Sequence, residues 1–312
     1  MKGLELAESY YNEFGKKMLE EFPGIKDKLA VGLIGSGSEC FGFDDDVSTD
    51  HDFEAGFMIF LPGEDVVSRR DAFLLERAYY KLPKEYRGFT RGFLYPVGGN
   101  RKGVISTADF FAEKTGSPDG NLTAREWLSL PESYLAEATN GKIFCDNYGE
   151  VSAIRKRLAY YPEDVRLKKL AGNIITAAQS GQYNYHRCYK HGEQSAAQLA
   201  VFEFVKSAAA IKFLLEKRYM PFYKWSFKAL RTLPDGEELE KSLNFLTTTP
   251  NDETFYKKKS EIIENISAKL IEEIKKQNLS DSLSGNLEDH AYKVNGKISD
   301  GNIRNMNIFA GV

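Results

Sequence analysis

At 312 residues, with 42% apolar side chains and a net charge of −3, the chain is long enough to bury a large core and has no charge excess to draw it to nucleic acid or an anionic membrane. Its three cysteines, Cys40, Cys145 and Cys188, are too few and too scattered for a disulfide framework or a zinc cluster, which suits reduced thiols. No apolar run reaches the roughly 18 residues of a membrane span and the N-terminal stretch lacks an apolar signal core, so a cytoplasmic protein with no membrane partner is expected.

Residues 5–22 predict a helix, with Tyr11, Phe14, Met18 and Phe22 on one face and Pro23-Gly24 as its stop. Leu29 to Ile34 predicts a short buried strand, and the stretch 53–61, closed by Pro62-Gly63, a second. A helix follows over 65–81, with Phe73, Leu74 and Ala78 apolar among charges; the glycine-rich stretch 84–103 reads as an irregular strand plus loop. Val104-Ile105-Ser106 predicts a strand, Thr107 caps a helix through Lys114, and 123–139 is helical with Pro131 opening a new turn. Lys142 to Asp146 predicts a last strand. From about residue 150 only helices are expected, over 163–180, 191–218, 222–231, 236–246 and 252–276, with a polar tail after 277. The expected class is α+β: an N-terminal domain over 1–150 with a mixed sheet and helices, then an α-helical domain over 151–312.

The chemistry concentrates between these first two strands. Gly35-Ser36-Gly37-Ser38 is a small-residue turn, and six acidic residues follow within the fourteen positions from Glu39 to Asp52. Carboxylates crowded beside core strands repel one another and are costly to desolvate unless something positive sits among them. Asp50 and Asp52 are two apart, so on a strand they share a face, a spacing suited to a pair of Mg²⁺ ions about 3.5–4 Å apart. Glycines let backbone N–H groups approach closely, and with the hydroxyls of Ser36 and Ser38 they can cradle a phosphate. Asp44, Asp45 and Asp46 read instead as a solvated acidic turn, Glu54 as a continuation of the aspartate face, and His51 as facing away. Gly35-x-Gly37 begins a dinucleotide fingerprint, but Cys40 stands where the third glycine belongs. In the helical half, Tyr183, Tyr185, Arg187, Lys190 and His191 crowd an expected inter-helix turn, where Arg187 and Lys190 are candidates to neutralise phosphates and the tyrosines to stack on a base. Lys224, beside Trp225, is a further candidate to reach the ligand.

At Gly35-Ser36 and Asp50-x-Asp52 opening an apolar strand, the chain resembles the polymerase-β-like nucleotidyltransferase superfamily. The longer string GSGSECFGFDDDVSTDHDFE, with Tyr160-Tyr161-Pro162-Glu163-Asp164-Val165 and Pro221-Phe222-Tyr223-Lys224-Trp225, resembles the bacterial family DUF4037. The resemblance implies an N-terminal polymerase-β-like nucleotidyltransferase domain and an α-helical C-terminal domain like that of antibiotic nucleotidyltransferases, with Mg²⁺ holding a nucleoside triphosphate. A third carboxylate normally comes from a later strand; Val104-Ile105-Ser106 carries none, and Asp109 and Asp146 are the nearest.

The expectation is therefore a Mg²⁺-dependent nucleotidyltransferase. Asp50 and Asp52 are its catalytic and metal residues, and Gly35, Ser36, Gly37, Ser38, Arg187, Lys190 and Lys224 hold the triphosphate, ATP first. The acceptor is unidentified, a small molecule suiting the near-neutral charge better than nucleic acid. The alternatives are a catalytically degenerate nucleotide-binding or sensor protein and a protein-directed transferase.

Overall fold

The computed structural model describes residues 1–46, 54–91 and 102–312. The chain is α+β, mostly helical with a small mixed sheet. It divides into two compact units, Met1–Asn121 with Ser133–Ala159, and Leu122–Glu132 with Tyr160–Val312. The boundary expected near 150 compares with a crossing at 159/160 and an earlier excursion over 122–132. No helix among the described residues is long and apolar enough to cross a membrane.

In the first unit, α1 (Gly3–Tyr10) runs through a π-helical turn (Tyr11–Gly15) into α2 (Lys16–Glu20). Its start is held by Asp44: the Gly3 amide donates to Asp44 Oδ2 at 2.9 Å and the Lys2 ammonium donates to the Asp44 carbonyl. A buried carboxylate on the first amides of a helix stabilises it through the macrodipole, so Asp44 is a structural residue rather than part of a solvated turn. Gly15 is required because the Phe57 ring lies where its Cβ would go, 2.6 Å away.

β1 (Ala30–Leu33) is wholly buried, and α3 (Ser38–Phe41) follows the glycine-serine turn. β2 spans Met58–Leu61, shorter than the predicted 53–61. Just before it, the Phe57 amide donates to the Tyr79 hydroxyl at 3.1 Å, and the Phe57 carbonyl accepts both from that hydroxyl at 2.8 Å and from the Gly103 amide at 2.9 Å. Glu54 lies before β2, so strand alternation does not carry the aspartate face to it.

α4 (Arg69–Tyr80) is capped by Ser68 and buries Leu75 and Tyr79, while Phe73 and Leu74, the apolar residues noted in this helix, are exposed. β3 (Glu85–Tyr86) and β4 (Phe89–Thr90) form a hairpin across Arg87-Gly88, both with positive φ, at the start of the stretch expected as an irregular strand plus loop. β5 (Gly103–Ser106) leads into α5 (Thr107–Thr115); the cap is Ser106, not Thr107.

α6 (Ala124–Ser129) lies in the 122–132 excursion that belongs to the second unit; Pro131 separates it from α7 (Glu132–Thr139), which from Ser133 belongs to the first. β6 (Lys142–Asp146) and α8 (Glu150–Arg157) complete the unit. The sheet order is β5-β2-β1-β6, with β2 and β5 parallel and the other pairs antiparallel. Its core joins Leu6, Tyr10, Val31, Phe57, Ile59, Leu75 and Tyr79.

The second unit is helical and centred on α9 (Glu163–Ala177), which continues through a π-helical run over Ala178–Asn184 into α10 (Tyr185–Lys190). The inter-helix turn expected around Tyr183 is therefore continuous helix, and Tyr185 is core, its hydroxyl donating to Asn251 Oδ1. α11 (Gln194–Leu215) buries Val205, Ala209 and Phe213, but Leu199 and Phe202 are exposed. α12 (Tyr223–Leu230), α13 (Gly236–Thr248) and α14 (Glu253–Lys276) follow.

The polar tail is not a tail. α15 (Leu287–Gly296) packs on α9 through a helical face that includes buried Leu287, Ala291 and Val294, and α16 (Gly301–Arg304) follows.

α9 is buried almost throughout although it carries Arg166, Lys168 and Lys169. Each cation terminates another segment by donating to its carbonyls. Arg166 pairs with Glu163 and reaches Leu214 O at the end of α11, 3.2 Å away. Lys168 donates to Asn295 Oδ1, Arg304 O and Met306 O at 2.7–3.2 Å. Lys169 donates to Leu128 O and Gly311 O at 3.2 and 2.9 Å. Cations at helix C-termini satisfy orphan carbonyls and oppose the macrodipole.

Candidate functional site

The glycine-serine turn leaves the end of β1 and is bound on two sides by helices far away in sequence. Asn140, just after α7, clamps the Gly35 peptide: the Gly35 amide donates to Asn140 Oδ1 and Asn140 Nδ2 donates to the Gly35 carbonyl, both at 2.8 Å. Gly35 takes φ +100°, which an L side chain rarely adopts, with the Phe110 ring of α5 against it. Ser36 Oγ donates to Glu137 Oε2 on α7 at 2.7 Å. Lys114, on α5, donates to Ser36 Oγ at 3.2 Å and pairs with Glu137 at 2.8 Å and Glu113 at 3.2 Å.

Gly37, at φ +123°, has the Glu39 carboxylate folded over it; a Cβ there would lie 2.5 Å from Glu39 Oε2. Ser38 and Glu39 are buried in the first turn of α3. The Gly141 amide donates to the Cys40 carbonyl at 2.9 Å, tying the end of α3 to the same connection that carries Asn140.

The electrostatics centre on Lys114. Burial works against its charge, but the Glu137 and Glu113 carboxylates outweigh that, so its pKa is raised and the ammonium persists throughout the physiological range. An enclosed ammonium and a serine hydroxyl aimed at one turn form a donor pair for an anion. Glu137 holds both now and would have to share them with a phosphate oxygen.

The predicted residues divide accordingly. Gly35, Ser36, Gly37 and Ser38 come together at the turn. Asp50 and Asp52, predicted to catalyse and to bind metal, and His51 lie outside the described residues. Arg187 and Lys190 are on α10, Arg187 with its guanidinium 5.1 Å from the Tyr183 ring centroid; Lys224 is on α12 over Trp225 at the same distance.

Among the described residues no three His, Cys, Asp or Glu side chains converge, and the partners a third carboxylate would join, Asp50 and Asp52, lie outside them. Asp109 is in the exposed first turn of α5. The Asp146 carboxylate accepts from the Gly149 and Ser152 amides at 2.8 and 2.7 Å, which fixes it at the start of α8. Sequence reasoning missed Lys114, Glu137 and Asn140. They lie 78, 101 and 105 residues from their partners in the turn, and no local pattern marks them.

The fold and the turn define a two-unit α+β protein with a small mixed sheet and a helical second unit. Residues 127–226 match the family described as a domain of unknown function, DUF4037. No curated protein matches the chain.

Proposed function

We propose that the chain is a Mg²⁺-dependent nucleotidyltransferase that moves a nucleoside monophosphate from a nucleoside triphosphate, ATP first, to a small-molecule acceptor in the cytoplasm. The observation that carries this reading is the enclosed Lys114 ammonium on the Ser36 hydroxyl, within the turn that follows β1. A strand, a glycine-serine turn and a short helix on a mixed sheet also suit a polymerase-β-like domain.

In this reading Ser36 and Lys114 hold the β- and γ-phosphates as pyrophosphate leaves, and Asn140 keeps the turn in shape by clamping Gly35. Asp50 and Asp52 would hold Mg²⁺, which when bound neutralises phosphate charge and aligns the acceptor hydroxyl with the α-phosphate. Arg187, Lys190 and Lys224 are assigned to the nucleotide on sequence grounds. The test is pyrophosphate release from each of the four ribonucleoside triphosphates with a panel of small hydroxyl-bearing acceptors. Release that needs Mg²⁺ and disappears in Asp52→Asn supports the reading; release that persists in that variant refutes it.

The second reading is a nucleotide-binding protein without catalysis. It is favoured by Asp146, a candidate third carboxylate already engaged at the start of α8. Saturable triphosphate binding with no turnover across the panel would select it.

A further inference from the structure

A second polar site lies within the helical unit, built from Glu132, Tyr160, Tyr161, Tyr219 and Lys169, with Trp127 at its edge. The three tyrosine rings pack on one another: Tyr161 and Tyr219 have centroids 4.9 Å apart at 89°, and Tyr160 lies 5.3 Å from each. Trp127 meets the Tyr161 ring edge-on at 5.7 Å.

Inside this aromatic wall two polar atoms are buried without a partner. Tyr161 is only 5% exposed and its hydroxyl makes no hydrogen bond; Glu132 Oε2 is also enclosed and unbonded. The Met220 amide donates to the Glu132 carboxylate, and Lys169 directs its hydrogen bonds to Leu128 O and Gly311 O while its Nζ sits 5.5 Å from the Tyr161 centroid.

Leaving a carboxylate oxygen and a phenol buried and unpaired costs about 1–3 kcal/mol each, so such atoms mark a place where something polar belongs. The chemistry narrows what that is. The orphan acceptor is carboxylate oxygen, the phenol oxygen can also accept, and the surrounding π-faces are negative and favour a cation. Only a cationic donor meets all three demands.

We infer that Glu132, Tyr161 and the neighbouring tyrosines bind a primary ammonium group of a small organic molecule. The ammonium donates to Glu132 Oε2 and to the Tyr161 hydroxyl while its alkyl stem lies along the rings. The site is independent of the nucleotidyltransferase reading, and binding is read without nucleotide.

Glu132 also makes the site sensitive to pH. Burial pushes its carboxyl up to about 7, against the opposing pull of Lys169 and the Met220 amide. The other titratable groups around it are Tyr160, Tyr161 and Tyr219, all raised by burial and neutral in this range, and Lys169, lowered by burial. Glu132 is thus the group that changes charge between pH 5 and pH 8, and the anion that binds an ammonium forms as pH rises.

The test uses the full chain and the indole N–H signals of its two tryptophans, assigned with Trp225→Phe. n-Butylammonium chloride is titrated at fixed ionic strength, with 1-butanol as the uncharged counterpart. The expected result is a saturable shift of the Trp127 signal with the amine alone. Binding should be at least about tenfold weaker at pH 5 than at pH 8, and about tenfold weaker in Glu132→Gln, which should lose the pH dependence. If Glu132→Gln does not fold, Tyr161→Phe, which removes only the hydroxyl, should weaken binding several-fold with an unchanged melting curve. No Trp127 shift, an equal shift with 1-butanol, or a pH-independent wild-type affinity overturns the inference; an enclosed water at the site would give the first of these.

Discussion

Buried lysines are used here in two ways, and the first, a lysine held by two carboxylates, occurs in both units: at Lys114, and at Lys212 between Glu216 and Glu273 at 2.8 and 2.6 Å. At the glycine-serine turn Lys114 faces two carboxylates and a serine hydroxyl, and its pKa is raised. In the helical unit Lys168 and Lys169 face carbonyl and amide oxygens, as does Lys259, which donates to Thr249 O at the end of α13, Asn251 Oδ1 and Gln198 Oε1. Burial lowers the pKa of all three. A lysine among carboxylates stays charged, and its partner can be exchanged for a phosphate. One among carbonyls satisfies backbone that nothing else reaches, and its proton is the less stable for it. The first arrangement suits a ligand site and the second suits architecture.

The largest effect that would sharpen this contrast is at Lys168. Lys168→Met leaves the Arg304 and Met306 carbonyls without that donor, and the loss of charged hydrogen bonds in the core predicts a destabilisation of about 3 kcal/mol or more. Urea unfolding monitored by circular dichroism measures it, and an unchanged midpoint would remove the architectural role.

Lys259 comes next, through pH. Burial lowers its pKa to about 8 in the folded chain, against the ordinary lysine value of 10.5. Between those values the unfolded chain holds the proton that the folded chain has released, so this group's contribution to stability rises with pH across the window. The tyrosines oppose this only near and above their own ordinary value of 10, so the clean interval is pH 8 to 10. The difference in melting temperature between wild type and Lys259→Met should move in favour of wild type across that interval; a flat difference contradicts the assignment.

A smaller change is expected at the turn. Lys114→Met should unfold at nearly the wild-type urea concentration yet bind a triphosphate about tenfold more weakly, which is about 1.4 kcal/mol. Titration calorimetry on both proteins compares the two, and equal affinities would separate Lys114 from the phosphate. The smallest effect is that of Arg69→Ala. The Arg69–Glu64 pair is open to solvent on both sides, at 84% and 64% exposure, and its removal should leave the melting curve unchanged.

Part of this was readable in the sequence. The β1 run of apolar residues, the glycine-serine turn and the long helices α9, α11 and α14 show in local periodicity, because each is a local pattern. The strand expected over 53–61 is confined to the apolar run Met58–Leu61, and Glu54, Ala55 and Gly56 ahead of it stay outside the ladder. The segment after 277 was misread because serines, asparagines and charges outnumber its apolar residues, although Leu287, Ala291 and Val294 already stood at helical spacing. The turn itself was legible, but its partners were not. Lys114, Glu137 and Asn140 reach it only once α5 and the end of α7 have packed around β1. The Glu132 site was hidden for the same reason: its tyrosines were visible as Tyr160-Tyr161, but Tyr219 and Glu132 join them only in the folded unit.

The most direct test of the central claim is isothermal titration of ATP, GTP, CTP and UTP with and without Mg²⁺, on wild type, Lys114→Met and the double substitution Asp50→Asn/Asp52→Asn. The account predicts Mg²⁺-dependent binding of at least one triphosphate, ATP first, abolished by the double substitution and weakened about tenfold by Lys114→Met. Binding that neither set of substitutions alters, or no triphosphate binding with Mg²⁺ present, would contradict it.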